Sequence, residues 1–295
     1  GDLLGNLWEF DLTSTSASAW QLANSGDPLF TARSSLNEVQ PITSQPRVGA
    51  HPDGGVLVYF GTGQYLANSD TANTQVQTYY AIWDNGLPVL TTNRSQLQQQ
   101  SITLQNRQTF LDASGNEFSF DVRESSANTV DYAGGKRGWY MDLQPPATAG
   151  GERVVSRSLL IADRVIFVSV VPSTDRCEAG GVSWLFELSA LSGARLESSV
   201  FDFNNDGAFD SLDTAGGPPK SALKLDIGIS KTPVYLDTQG GSNFGKDTKV
   251  FSGTSGATTT VDQPCPTCGD DDDDDDDGGG GGGNGAPRVF WRQII

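Results

Sequence analysis

The segment from Asp202 to Asp210 has the residue types and spacing best suited to a chemical task. It reads DFNNDGAFD, with oxygen-bearing side chains at the first, third, fifth and ninth positions and glycine at the sixth. Ca²⁺ takes about six to eight oxygen ligands, and a glycine at the sixth position allows the sharp turn that gathers them. The pattern therefore predicts a Ca²⁺ site made by the side chains of Asp202, Asn204, Asp206 and Asp210 and the backbone carbonyl of Ala208.

The flanks of this loop differ from those of a helical EF-hand. Residues 198–201 and 216–219 are poor helix formers, and the twelfth position holds Asp213 instead of the longer glutamate that binds Ca²⁺ through both oxygens. The alternative is an Asn- and Asp-rich turn without an ion, because these residues and glycine dominate turns. Four regularly spaced oxygen side chains together with the glycine favour the calcium site over that alternative.

The three cysteines are Cys177, Cys265 and Cys268. The last two form a CxxC pair, but the chain has no second such pair and its one histidine lies in a Gly/Pro-rich segment, which disfavours a zinc site. If the protein is secreted, a structural disulfide from Cys177 to one member of the pair is expected. That arrangement leaves one odd thiol.

Catalytic patterns are sparse in this sequence. The single histidine, His51, lies in the turn-like stretch GAHPDGG, and no G-x-S-x-G nucleophile elbow is present. We interpret His51 as a hydrogen-bonded loop residue. The glycines of the segment FGTGQY, residues 60–65, follow no βαβ pattern and indicate a tight turn instead of a dinucleotide loop. No catalytic residue is predicted, and the chain is interpreted as a non-enzyme.

The chain of 295 residues carries a net charge of −17, of which the run Asp270–Asp277 supplies eight charges. An acidic surface disfavours nucleic acid and anionic lipid, both of which select Lys and Arg patches. No stretch approaches the roughly 20 apolar residues of a membrane span. The first residues, GDLLG, resemble the middle of a β unit, so we interpret the chain as a fragment and expect any signal peptide upstream of it.

Strand patterns dominate the sequence. Residues 55–61 (GVLVYFG) form one β-prone run, and residues 157–161 and 164–171 predict a hairpin around a short Ala-Asp turn. A motif with Trp shortly before an acidic residue recurs, tens of residues apart, in the segments 6–12, 80–84, 138–143 and 183–188. Chance recurrence is the alternative, but the spacing favours an all-β, partial or modified β-propeller with one aromatic strand in each blade.

This interpretation divides the chain into three parts. Residues 1–257 form the propeller blades and include the calcium loop 202–213. Residues 258–287 form a low-complexity acidic and glycine-rich insertion, which is expected to be disordered because it cannot bury apolar area. Residues 288–295 (RVFWRQII) are predicted to form a closing β-strand.

One set of segments spans nearly the whole chain except the Asp/Gly insertion: residues 1–12 (GDLLGNLWEFDL), 28–33 (PLFTAR), 40–43 (QPIT), 58–66 (VYFGTGQYL), 151–156 (GERVVS), 180–193 followed by 200–202 (VFD), and 291–293 (WRQ). In this order, these segments resemble the PilY family of type IV pilus proteins.

The resemblance implies a modified propeller with a projecting calcium loop, and Ca²⁺ ligands at Asp202, Asn204, Asp206, Ala208 and Asp210. It implies a secreted or cell-surface location at the pilus tip, with minor pilins and a host or surface ligand as partners. The expected function is support of pilus biogenesis, extension and retraction in twitching motility, and adhesion. Secretion in turn predicts that Cys177 is oxidised with one of the CxxC cysteines. The adhesive N-terminal region and the first blades are expected to be absent from this chain.

Two alternatives come from other functional classes. Quinoprotein dehydrogenases also combine Trp-rich blades with calcium, but they need a cofactor pocket on the propeller axis, whereas the calcium motif here is self-contained. A carbohydrate-binding propeller is the other alternative, which exposed aromatic residues would support.

Overall fold

The computed structural model describes residues 1–86, 94–146, 150–175, 179–236 and 246–265. The regular elements in these ranges are β-strands and short 3₁₀ helices, which confirms the predicted all-β class. The 3₁₀ helices are Ala17–Ala19, Asn24–Gly26, Asn68–Ala72, Arg94–Gln96 and Ser211–Thr214. The strands are β1 (Asn6–Leu7), β2 (Phe10–Asp11), β3 (Gln21–Leu22), β4 (Phe30–Thr31), β5 (Arg47–Ala50), β6 (Val56–Gly61), β7 (Thr78–Asp84), β8 (Gln98–Gln100), β9 (Ile102–Leu111), β10 (Glu117–Ser125), β11 (Gly138–Asp142), β12 (Leu159–Ile161), β13 (Arg164–Pro172), β14 (Gly181–Ser189), β15 (Ala222–Leu225), β16 (Val234–Leu236), β17 (Lys246–Ser252) and β18 (Thr258–Pro264).

Three sheets make up most of the fold. The largest has six strands in the order β12-β13-β14-β15-β10-β9, the second has five in the order β5-β6-β7-β11-β8, and the third is β16-β17-β18. Two small sheets pair β1 with β4 and β2 with β3. No helix in the described ranges has the length and apolar character needed to cross a bilayer.

Two strand predictions are confirmed. β6 occupies the run of residues 55–61, and β12 pairs with β13 as an antiparallel hairpin with Ile161 opposite Arg164. Ala162 makes the turn with φ 52°, a left-handed conformation that tight hairpin turns use. Runs of β-branched and aromatic residues predicted β6 and β13, because both strands are buried along most of their length.

The six-stranded sheet contributes to both of the larger cores. One face meets the five-stranded sheet through a stack of aromatic rings. The ring centroids of Tyr79 and Phe167 lie 3.9 Å apart, and those of Phe167 and Phe186 lie 4.8 Å apart. The other face packs against Phe251 of the three-stranded sheet and against Phe203. The six-stranded sheet is therefore the middle layer, with the five-stranded sheet on one face and the three-stranded sheet and Phe203 on the other.

Two sequence expectations are wrong. The Trp-acid motifs in residues 80–84 and 138–143 do not lie in separate blades, because β7 and β11 pair antiparallel within one sheet. The boundary at residue 258 is also misplaced, because Thr258–Pro264 forms β18 and pairs with β17 along its length. Val261 of β18 is buried in the core, so this threonine-rich segment carries apolar burial that its composition concealed. The rest of the insertion and the predicted closing strand 288–295 lie outside the described residues.

Buried ion pairs cross these layers. The Arg123 guanidinium binds the Glu152 carboxylate through two hydrogen bonds of 2.7 and 2.8 Å, and the Ser169 hydroxyl donates to the same carboxylate at 2.5 Å. Lys249 and Glu187 form a second pair in which both side chains are fully buried. Each of these charges meets an opposite charge inside the protein.

Candidate metal site

The predicted calcium loop connects β14 to β15 and is anchored by aromatic residues. Phe201 and Phe203 are both about 1% exposed, and the Phe203 ring stacks on Phe110 of β9 at 4.3 Å. Asp202 lies between these anchors, and its carboxylate accepts backbone N–H groups of the turn that follows. The loop is therefore tied to the core through its two phenylalanines.

Asp202 organises the turn that follows it. Its carboxylate accepts hydrogen bonds from the backbone N–H groups of Asp206 at 3.1 Å and Gly207 at 3.0 Å. Asn205 and Gly207 have φ values of 57° and 89°, so the chain passes through the left-handed region twice within three residues. The Lys246 ammonium lies 3.5 Å from the Asp202 carboxylate and is its charged neighbour.

The other predicted ligands form a local hydrogen-bond network. The Asn204 side chain donates to Asp206 at 2.8 Å, and the Asp206 carboxylate accepts the Ala208 N–H at 2.8 Å. Asp210 accepts the Leu212 N–H and begins the 3₁₀ helix Ser211–Thr214. The structure thus brings Asp202, Asn204 and Asp206 together, whereas the Asp210 carboxylate caps the short helix.

Asp213, at the twelfth position, closes the loop. Its carboxylate is buried and accepts the N–H groups of Phe203 at 2.6 Å, Asn204 at 3.2 Å and Asp210 at 3.2 Å. Burial raises the pKa of Asp213 to about 6, although these backbone hydrogen bonds oppose the shift, and the Asp202 carboxylate adds to it. Asp213 was not among the predicted ligands; its place in the twelve-residue spacing was the signal available in the sequence.

The oxygen ligands of the loop suit a hard cation, but the carboxylates accept hydrogen bonds from backbone N–H groups of the same loop. Within the ranges described above, no group of three or more His, Cys, Asp or Glu residues is arranged to hold a metal ion as it stands. All of the predicted ligands offer oxygen, the element that Ca²⁺ selects. Ion binding at this loop would therefore require the carboxylates to exchange backbone amides for the cation.

His51, the single histidine, lies among aromatic residues of the core. His51 is buried, stacks on Trp83 at 4.2 Å and meets the edge of Tyr132 at 4.4 Å, and its Nδ1 accepts the Asp53 N–H. Burial lowers the pKa of His51, while the Asp53 charge opposes that shift. This arrangement agrees with the interpretation of His51 as a hydrogen-bonded loop residue.

Among the cysteines, Cys265 is disulfide-bonded. Cys177 and Cys268 lie outside the described residues, so the predicted pairing of Cys177 with one member of the CxxC motif stays a prediction.

Comparison with known proteins gives one consistent result. Residues 1–115 match the family model of the PilY1 β-propeller domain. The chain is 32% identical over 243 residues to the type IV pilus biogenesis factor PilY1 of Pseudomonas aeruginosa strain PAO1, covering 72% of this chain and 20% of that protein. It is 37% identical over 254 residues to a PilY1 homologue of Xylella fastidiosa, covering 80% of this chain and 16% of that protein.

The chain therefore spans about a fifth or less of the length of these relatives. The crystal structure of the Pseudomonas aeruginosa PilY1 C-terminal domain superposes with a TM-score of 0.71 and 28% sequence identity. That match covers 88% of this chain and 55% of the solved domain. Sequence and fold agree over most of the chain, and we conclude that it belongs to the PilY1 family and carries a C-terminal β-propeller region of that family.

Proposed function

We propose that this chain is a calcium-binding part of a type IV pilus biogenesis factor, acting at the pilus tip on the cell surface. The relatives it matches are named for pilus biogenesis. In the proposed role, the chain works with minor pilins in pilus extension and retraction, and thereby in twitching motility and in attachment to a host or other surface.

The observation that supports calcium binding is the closed twelve-residue loop. Asp202, Asn204 and Asp206 lie side by side, and Asp213 is buried behind them with a raised pKa. Crowded carboxylates repel one another, and a divalent cation relieves that repulsion. The side chains of Asp202, Asn204, Asp206 and Asp210 and the carbonyl of Ala208 would hold the ion, which would supply positive charge that orders the loop.

The loop is also well placed to affect a larger assembly. Its aromatic anchors are part of the core beneath the six-stranded sheet, while Asp206 and Asp210 are exposed. A change in the order of the loop would therefore alter the surface around it and leave the sheets intact. This is the physical basis for calcium as a switch on pilus function.

Calorimetric titration of metal-free protein tests the site. We expect wild type to bind one Ca²⁺, and Asp202→Asn to bind at least about tenfold more weakly, because ligand charge sets the affinity of such loops. Asp112→Asn is the matched control, since Asp112 also accepts two backbone N–H groups in a tight turn but lies in the exposed β9–β10 connection. Equal calcium uptake by wild type and Asp202→Asn would move the ion elsewhere, with the Asp270–Asp277 run as the next candidate.

A cellular test addresses the pilus role separately. Cells that carry Asp202→Asn in the intact protein should assemble or retract pili abnormally and twitch less, while Asp112→Asn cells should resemble wild type. Normal twitching of a variant that has lost calcium in vitro would reject the switch and leave the binding site in place.

A further inference from the structure

Among the described residues, the six-stranded sheet ends at β9, which pairs only with β10. The Ser221 N–H donates to the Arg123 carbonyl, so odd-numbered residues of β10 direct their backbone groups towards β15 and even-numbered residues direct theirs towards β9. With Val122 opposite Asn106, the odd-numbered residues of β9 must direct their N–H and C=O groups away from the sheet. Gln105, Arg107 and Thr109 therefore present backbone donors and acceptors along the edge.

This edge lacks the usual protection against strand addition. Such edges are commonly blunted by proline, lysine, bulges or short length. β9 is 10 residues long and contains neither proline nor lysine; its only charged residue is Arg107. Its register with β10 is regular from Leu104 to Leu111 and shifts only at Glu124 and Ser125. An extended segment could pair with it over several residues.

A pocket of about 370 Å³ opens on the sheet face beside this edge. The odd-numbered residues of β9 and β10 line it, because side chains of one face recur at every second position. At its rim, Arg107 and Lys224 lie 3.6 and 3.5 Å from the same Asp121 carboxylate. At its base, the Arg123 guanidinium lies 3.8 Å above the Trp184 ring.

The charges of the pocket favour an anion. Three cationic side chains and two carboxylates line it, although the whole chain carries a net charge of −17. Arg123 is engaged by Glu152 and by the Gln105 amide, so it forms a fixed base. Arg107 is 62% exposed and Lys224 28% exposed. Both lie beside the partly exposed Asp121 carboxylate, and Lys224 also lies 3.9 Å from the exposed Asp226 carboxylate. A ligand carboxylate could therefore bind between these two cations.

We propose that the β9 edge and this pocket form a docking site for an extended peptide segment of another protein, with an acidic side chain or C-terminal carboxylate entering the pocket. A peptide is favoured over a charged sugar because only a peptide satisfies backbone donors and acceptors repeated at every second residue. The edge supplies affinity through main-chain hydrogen bonds, and the pocket supplies selectivity for a carboxylate. The loop anchor Phe203 packs on Phe110 of β9, whereas the pocket opens on the opposite face of the six-stranded sheet and includes no residue of the calcium loop.

Selection from a random peptide library with free C-termini tests the site on the intact chain. We expect wild type to select β-prone peptides with a recurrent Asp, Glu or terminal carboxylate. The double variant Arg107→Glu, Lys224→Glu should bind the selected peptides at least about tenfold more weakly, because it repels a carboxylate. Lys231→Glu is the control, since Lys231 is exposed and does not line the pocket.

A backbone variant tests the edge independently of charge. Thr109→Pro removes an N–H that points away from β10, so the sheet should survive, as edge strands tolerate proline at such positions. We expect this variant to keep a wild-type circular dichroism spectrum and to lose peptide binding. If Thr109→Pro unfolds, amide hydrogen exchange of wild type should show protection of Gln105, Arg107 and Thr109 upon addition of a selected peptide.

Three results would overturn the proposal. The first is a selection that yields no peptide distinguishing wild type from the charge-reversed variant. The second is an equal loss of affinity, relative to wild type, in Lys231→Glu and in the double variant, which would indicate a general charge effect. The third is a selected peptide that binds without protecting the β9 amides. Selection carried out in calcium and in a chelator should give the same peptides.

Discussion

The Arg123–Glu152 pair and the Asp202–Asp213 loop both hold carboxylates out of solvent, but they neutralise them differently. Glu152 accepts two hydrogen bonds from the positively charged Arg123 guanidinium and one from the Ser169 hydroxyl. Asp213 receives only backbone N–H groups, and its pKa is raised to about 6. Backbone dipoles compensate a buried charge less completely than a guanidinium does, so the loop retains the capacity to respond to an added cation.

The two regions also differ in how they are built. The pair joins β10 to a segment 29 residues away and exists only when the sheet is assembled. The loop draws its polar contacts from consecutive residues, with Lys246 as a distant neighbour. A loop of this kind can loosen alone, whereas breaking the pair disturbs the middle layer of the fold.

The largest effect is expected from breaking the buried pair. Arg123→Ala should lower the free energy of unfolding by about 3–5 kcal/mol, because it leaves the Glu152 charge buried without a partner. Urea denaturation with and without Ca²⁺ measures this loss, which should be the same in both conditions. Arg107→Ala is the control, because its exposed pair with Asp121 should contribute no more than about 1 kcal/mol. Similar losses in the two variants would refute the contrast between buried and exposed pairs.

Removing the aromatic anchor of the loop should have a somewhat smaller effect. Phe203→Ala is expected to cost about 3 kcal/mol, because it leaves a cavity beside Phe110 and removes a ring stack. Unlike Arg123→Ala, it should also weaken calcium binding, since Phe203 fixes one end of the loop. Thermal unfolding combined with calcium titration separates the two consequences. Unchanged calcium affinity in a clearly destabilised protein would show that the loop forms independently of its anchor.

The smallest effect concerns a buried titratable group that lacks strong charge compensation. The pKa of His51 is lowered in the folded state, so below about pH 6.5 the unfolded state binds more protons than the folded state. The contribution of His51 to stability should therefore be largest above pH 6.5 and fall as the pH decreases towards the folded-state pKa of His51. His51→Phe keeps a ring between Trp83 and Tyr132 and should remove this part of the pH dependence. Urea midpoints from about pH 5 to pH 8 measure it; identical slopes in both proteins would assign the dependence to other groups.

The sequence predicted those elements that are determined by residues close together in the chain. The hairpin of β12 and β13 and the oxygen spacing of the Asp202–Asp210 segment are set by neighbouring residues, and both could be identified before any tertiary contact was known. The family resemblance was also present in contiguous segments, and the comparisons confirm it. The ligand assignment itself stays a prediction that calorimetry can decide.

Residues distant in the chain could not be placed in this way. The motifs containing Trp83 and Trp139 suggested separate blades, yet they lie on adjacent strands, because strand pairing is decided by which faces bury together and not by motif spacing. β18 was assigned to the insertion because its threonines conceal the burial of Val261.

The amino-acid sequence by itself determined the all-β class, the turn-forming loop and the excess of negative charge. Only the tertiary structure decided that Asp213 closes the loop, that Arg123 meets Glu152, and that Arg107, Arg123 and Lys224 line one pocket beside β9. Alternation and turn chemistry act over a few residues, so a chain displays them directly. Charge pairs and sheet edges depend on which strands lie next to one another in the sheets. That spatial order follows from the total apolar area that the layers can bury together.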